Sequence, residues 1–290
     1  MSYFYDIWDD FISLLFPRLC YACGDHLLRN ENLICTKCYI SIPRTNYHLT
    51  ANNPVEQLFW GRCQITRAAA FSFYNKGSRI RKLIHSLKYR GIKEIGYELG
   101  RIYGQSLKNS GFIRDMDIII PVPLHPSRQR KRGFNQSDYI SRGFAEVMEL
   151  PLDLKTLVRI ELSDTQTKRS RYERWMNVEG IFSVTDSLEL KGKHILLVDD
   201  VITTGSTLEA CAGELLKIEN VKVSVVALAV AVLSLLNPFG VLINKIFPAV
   251  KCLFAGRIFT LIEMTESCRQ SVCCVKNNIF LLKFKDIHQH

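Results

Sequence analysis

Two adjacent acids followed by a cluster of hydroxyls are the residues of this sequence best placed to do chemistry. They lie in Lys193-His-Ile-Leu-Leu-Val-Asp-Asp-Val-Ile-Thr-Thr-Gly-Ser-Thr-Leu208. Thr203, Thr204, Ser206 and Thr207 bring four hydroxyls to one turn, and Gly205 lets a ligand approach the backbone without meeting a side chain. If a helix opens at Ser206, its unpaired amides and dipole favour a dianionic phosphate. Asp199 and Asp200 would repel that phosphate, so they need another task. Accepting hydrogen bonds from the 2′ and 3′ hydroxyls of a ribose, with Mg²⁺ nearby, satisfies both. The plainer alternative is a strand–turn–helix whose Ser and Thr only cap the helix.

Two further groups carry chemistry. Cys20-Tyr-Ala-Cys23 and Cys35-Thr-Lys-Cys38 are two CxxC pairs separated by eleven residues. Four thiolates at that spacing suit one tetrahedral Zn²⁺ in a closed structural site. A redox CxxC or two coincidental pairs are the alternatives. The second group is the basic stretch Arg128-Gln-Arg-Lys-Arg132, which follows Pro121, Pro123 and Pro126. We expect a loop here, with Arg128 and Arg132 among the cations able to face a pyrophosphate as forked donors. A solvated basic loop is the competing reading.

These residues need a scaffold that brings them to one edge. Ile195 to Val198 reads as a buried strand, Asp199 to Gly205 as a turn, and Ser206 to about Ile218 as a helix, with a strand re-entered at Val221. A second strand beginning at Asp117 leads through the proline turns to a helix from about Gln136 to Glu149. If the two strands are neighbours, both following segments open on the same edge of a parallel α/β sheet, where such sheets bind ligands.

The chain has 290 residues, 47% of them hydrophobic, which excludes a wholly disordered or collagen-like protein. Its net charge is +10, and residues 61–140 alone hold 16 Lys and Arg against 5 Asp and Glu. A concentrated positive region points to a phosphorylated small molecule or a nucleic-acid backbone, with a solvated face as the bland alternative. Phe4, Ile7, Trp8, Phe11, Leu14 and Leu15 recur at helical spacing before Pro17; the acidic polar face makes membrane docking the weaker option. Val223 to Ile243 carries no charge. Its β-branched first part reads as a buried strand rather than a membrane span.

Resemblance sharpens these expectations. VDDVITTGSTL is similar to the ribose-5-phosphate-binding signature of type I phosphoribosyltransferases. PVPLHPSRxRxRGFNQ, the CxxC pairs after LLFP, Ile80–Gly91 and Gln166–Asn177 together resemble the ComF family, in matching order from residue 11 to about 230. The resemblance implies a type I phosphoribosyltransferase-like α/β fold with a parallel sheet flanked by helices and a small N-terminal four-cysteine zinc module. The expected division is 1–60 for the helix and zinc knuckles, 61–230 for the transferase-like domain, and 231–290 as an unassigned extension. It implies that Thr203, Thr204, Gly205, Ser206 and Thr207 hold the 5-phosphate of phosphoribosyl pyrophosphate or a related ribose phosphate. In an active transferase, Asp199, Asp200, Arg128 and Arg132 would form the catalytic set with Mg²⁺, in a cytoplasmic protein of competence, DNA uptake or nucleotide metabolism. The rival reading is a non-catalytic accessory that binds single-stranded DNA or adapts proteins of the uptake machinery.

Overall fold

The apolar runs and amphipathic stretches resolve, in a computed structural model describing residues 17–160 and 181–232, into a parallel sheet covered on both faces. The chain runs α1 (Thr36–Ile40), α2 (Pro54–Gln57), β1 (Ala68–Tyr74), α3 (Arg79–Tyr89), α4 (Lys93–Asn109) and β2 (Ile118–Pro121). It continues through α5 (Pro126–Arg132), α6 (Gln136–Met148), β3 (Leu157–Arg159), β4 (Phe182–Val184), β5 (His194–Ile202), α7 (Ser206–Leu215) and β6 (Lys222–Ala231). The sheet order is β1-β6-β5-β2, with every neighbour parallel. A short antiparallel pair, β3-β4, stands separately.

Strand periodicity decides what packs where. Leu196 and Val198 of β5 join Val226 and Leu228 of β6 beneath α3, α4 and α6. Ile195 and Leu197 join Val223, Val225 and Ala227 on the other face, with α7, Phe59, Leu157 and Phe182. Successive side chains leave a strand on opposite faces, so a strand buried on both shows no alternation. That explains the uncharged run after Lys222: its first part is an interior strand. Among the described residues, no helix is long and apolar enough to cross a membrane.

Helices α4 and α6 meet at backbone distance. A Cβ added at Gly100 would lie 2.3 Å from the Ile140 carbonyl oxygen, and one at Gly143 would lie 2.1 Å from that of Tyr97. Only glycine at both positions allows this approach. Tyr103 and Phe144, both fully buried, pack across the same contact with ring centroids 5.8 Å apart.

Three boundaries differ from expectation. Strand β5 extends through Asp199 and Asp200 to Ile202, because Val201 and Ile202 find ladder partners in Ala229 and Val230. Helix α7 stops at Leu215 rather than Ile218. The basic stretch is a helix, α5, instead of a loop: Pro126 occupies its first turn and His125 caps it by accepting from the Ser127 amide. The expected N-terminal helix, the Gln166–Asn177 stretch and the extension beyond residue 232 lie outside the described residues.

Candidate functional site

The pairing of β2 with β5 builds the site. Pro121 sits opposite Val198, and the Val122 amide donates to the Val198 carbonyl at 2.8 Å, so both strands open at the same edge. The Gly-Phe-Asn-Gln segment after α5 secures this edge from below. Phe134, Asn135 and Gln136 are all buried. The Asn135 amide donates to the Val122 carbonyl at 3.0 Å, while its oxygen caps α6 by accepting from the Ser137 amide.

Asp199 lies under opposing influences. The Asp200 amide and the Ser137 hydroxyl donate to its Oδ1 at 2.8 and 3.3 Å. Burial, reinforced by the like charge of Asp200, nevertheless pushes its carboxyl up to about 7, against the favourable hydrogen bonds and the Lys88 charge. Asp200 is buried and pairs with Lys88 from the end of α3, Nζ to Oδ2 2.8 Å. Helix α3 thus reaches over the acids with a cation. Its next residue, Tyr89, is exposed and lies 5.5 Å beneath the Arg132 guanidinium. Arg132 also donates to Gln136 at 2.8 Å.

The hydroxyl turn follows at once. Gly205 takes φ +75 at the N-cap of α7, the left-handed region that glycine enters without penalty. Thr204 Oγ1 accepts from the Ser206 amide at 3.4 Å and donates to the Ser206 hydroxyl at 3.1 Å. The hydroxyls of Thr203 and Thr207 are on exposed residues and bond to nothing among the described residues. Donors pointing into solvent at a helix N-terminus form an anion-accepting cradle.

Two residues that the sequence reading missed hold this cradle. Arg62 is almost fully buried and donates to the carbonyls of Leu58 and Thr204 at 2.8 and 2.9 Å. It also reaches the Ser206 hydroxyl at 3.4 Å and forms a short ion pair with Glu209. The Phe59 ring backs Gly205, where an added Cβ would lie 3.2 Å from it. Neither residue had a sequence signal, since each acts on a turn more than 140 positions away. Ser137 was also missed, although its place at a helix start after the proline turns was a usable clue. Lys88 falls in the Ile80–Gly91 segment, and nothing in the sequence signalled its partner, Asp200.

The structure therefore joins Asp199, Asp200 and Arg132 through Lys88, Ser137, Tyr89 and Gln136, beside a cradle of Thr203 to Thr207. Arg128 is exposed, and burial together with its charge lowers the pKa of the half-buried Arg159 of β3. No contact among the described residues ties Arg128 to the carboxylates.

The four cysteines form a separate cluster. Cys20, Cys23, Cys35 and Cys38 place their sulfurs within 4.8 Å of one another, with Cys23 and Cys35 at 3.7 Å. Bonds of ~2.3 Å to a tetrahedral Zn²⁺ would space sulfurs at ~3.8 Å, so the cluster fits that ion. Backbone amides donate to the sulfurs: Cys35 to Cys20 at 3.3 Å, Asp25 to Cys23 at 3.4 Å, and Cys38 to Cys35 at 3.4 Å. Burial would raise the Cys20 thiol, but amides of Cys35, Cys23 and Ala22 bring it down to about 7. Burial and the neighbouring sulfurs raise Cys38. A divalent cation would balance the charge of four thiolates this closely spaced. Cys20, Cys35 and Cys38 are buried in the same core as α3.

Comparison with known proteins points the same way. A model of the phosphoribosyl transferase domain matches residues 141–236, spanning α6 to β6 and the whole acid–hydroxyl segment. The chain is similar to the DNA utilization protein YhgH of Salmonella typhimurium, at 31% identity over 70% of this chain and 93% of that protein. It is also similar to competence protein F of Haemophilus influenzae, at 32% identity over 51% of this chain and 66% of that one. Competence protein ComFC of Bacillus subtilis matches at 26% identity, covering 69% and 78% of the two chains.

Proposed function

Because this chain belongs to the ComF family, built on a phosphoribosyltransferase-type sheet, we propose that it binds phosphoribosyl pyrophosphate or a related ribose phosphate, in competence, DNA utilization or nucleotide metabolism. One observation carries the reading: parallel pairing of β2 and β5 sets an acid pair and an open hydroxyl cradle on one sheet edge. The cradle of Thr203, Thr204, Gly205, Ser206 and Thr207 takes the 5-phosphate. Asp199 and Asp200 accept the ribose hydroxyls, and the diol displaces Lys88 from Asp200, freeing that cation for the phosphate chain. Arg132, held by Gln136, faces the pyrophosphate, and Arg128 contributes only to the surrounding positive field.

Were transfer to occur, the bond from C1 to pyrophosphate would break as an acceptor attacks, with positioning and electrostatics as the chain's contribution. Mg²⁺, which enters such sites on substrate phosphates with few carboxylates, would neutralise leaving-group charge; Asp199 and Asp200 are the residues available to it. Zinc at the four-cysteine cluster would be structural, since the four sulfurs leave no open position.

Titrating phosphoribosyl pyrophosphate with Mg²⁺ into the wild type and a double Asp199→Asn, Asp200→Asn variant tests the pocket. Saturable binding that the variant loses is expected, and equal binding by both proteins would remove the site. Pyrophosphate release with a panel of bases then separates enzyme from binding protein.

A second reading has its own observation. A groove of about 800 Å³ between the knuckles and α3 is lined by Arg81, Lys82, His85 and Arg90 beside Tyr21. Cations along one helix beside a tyrosine suit single-stranded DNA, whose binding should weaken steeply with salt. No binding at low salt would discard it.

A further inference from the structure

Arg44, His48 and Phe71 wall a cavity of about 320 Å³, which Ser106 and Asn109 at the end of α4 complete. No residue of the acid pair or hydroxyl turn lines it, and no carboxylate does either. His48 is only 9% exposed, and its Nδ1 is buried without a hydrogen-bond partner. The rest of the residue is well held. The His48 carbonyl accepts from Arg67 at 3.2 Å, and its ring makes a T-shaped pair with that of Tyr103, centroids 5.9 Å apart.

Charge supplies the second observation. The Arg44 guanidinium lies over the rings of Tyr39 and Phe71, at 4.9 and 5.2 Å, and has no ion pair among the described residues. Burial, then the charges of Arg67 and Arg44, hold the His48 imidazole below its usual pKa. It is therefore neutral at pH 7, with one ring nitrogen a donor. One guanidinium group, that of Arg44, thus lines a concavity that offers it no counter-charge, with Phe71 and Leu49 as its aromatic and aliphatic walls.

We propose that this cavity binds a small organic anion, a carboxylate or phosphate monoester with an apolar body. The Arg44 fork takes the anionic oxygens, and Phe71 with Leu49 packs the apolar part. The site is independent of the ribose-phosphate reading, because it shares no lining residue with that pocket.

The test uses the full chain with labelled histidine, titrated with phenyl phosphate and, separately, inorganic phosphate. The His48 imidazole resonance, assigned through His48→Gln, should shift saturably, with phenyl phosphate the tighter probe. Arg44→Gln should weaken binding at least about tenfold, the loss of a charge-assisted fork. The double Asp199→Asn, Asp200→Asn variant should bind the probe as wild type does. An unmoved His48 signal, a shift indifferent to Arg44→Gln, or binding lost only in the double variant would overturn the proposal. Should Arg44→Gln fail to fold, phenylglyoxal modification of the wild type decides. Protection of Arg44 by phenyl phosphate supports the site, and equal modification with and without it refutes it.

Discussion

Replacing Arg62 by Met should loosen the phosphate cradle from behind without touching any group that faces a ligand. The side chain is 5% exposed, and its charged donors serve the carbonyls of Leu58 and Thr204 and the carboxylate of Glu209. Met preserves most of the packing volume, so the lost term is polar. Breaking a buried charge pair costs ~3–5 kcal/mol. Glu209 retains 18% exposure and some access to water, which lowers the expected loss of stability to ~2–3 kcal/mol. Denaturant unfolding measures this directly, and a double-mutant cycle with Glu209→Gln should return a coupling of ~1–3 kcal/mol. Ribose 5-phosphate binding by calorimetry should weaken about tenfold, equivalent to ~1.4 kcal/mol, because Thr204 and Ser206 lose the anchor that pre-orders them. A stability change below ~0.5 kcal/mol with unaltered affinity would refute the strap, since surface substitutions do no more.

Other outcomes follow from the same geometry. Gly205→Ala forces φ +75 on a residue with a Cβ and presses it toward Phe59, so ~1–2 kcal/mol of stability should be lost in thermal or denaturant unfolding. Asp199 binds a proton more tightly folded than unfolded, about 7 against ~3.9. Stability should therefore fall as pH rises from 4 to 7, and this slope should flatten in Asp199→Asn when melting is followed across that range. Lys88→Gln removes the cation that occupies Asp200; if the diol must displace it, ribose 5-phosphate affinity in calorimetry should rise while pyrophosphate affinity falls. In Cys38→Ser one equivalent of zinc should disappear by elemental analysis, and melting should drop because three remaining sulfurs cannot close the site.

Legibility varied with how local the cause was. The strand before the acids, the helix opening at Ser206 and the four cysteines were readable because periodicity, capping chemistry and ligand spacing act within a few residues. Arg128 and Arg132 look equivalent in sequence. Their separation arose when Pro126 and His125 made the stretch a helix, placing Arg132 against Tyr89 and Gln136 while Arg128 stays exposed. The end of β5 was misplaced because two polar acids read as a turn, whereas the ladder with β6 continues past them.

By itself the sequence determined the chemical inventory: a parallel α/β framework, an acid pair ahead of a hydroxyl turn, and two thiol pairs at metal spacing. Only the tertiary structure decided that β2 lies beside β5, that Lys88 neutralises Asp200, and that Arg62 and Phe59 brace a turn far along the chain. The physical reason is range. Propensity and capping are set by neighbours in sequence, whereas charge pairing and close packing depend on which surfaces a sheet buried on both faces brings together.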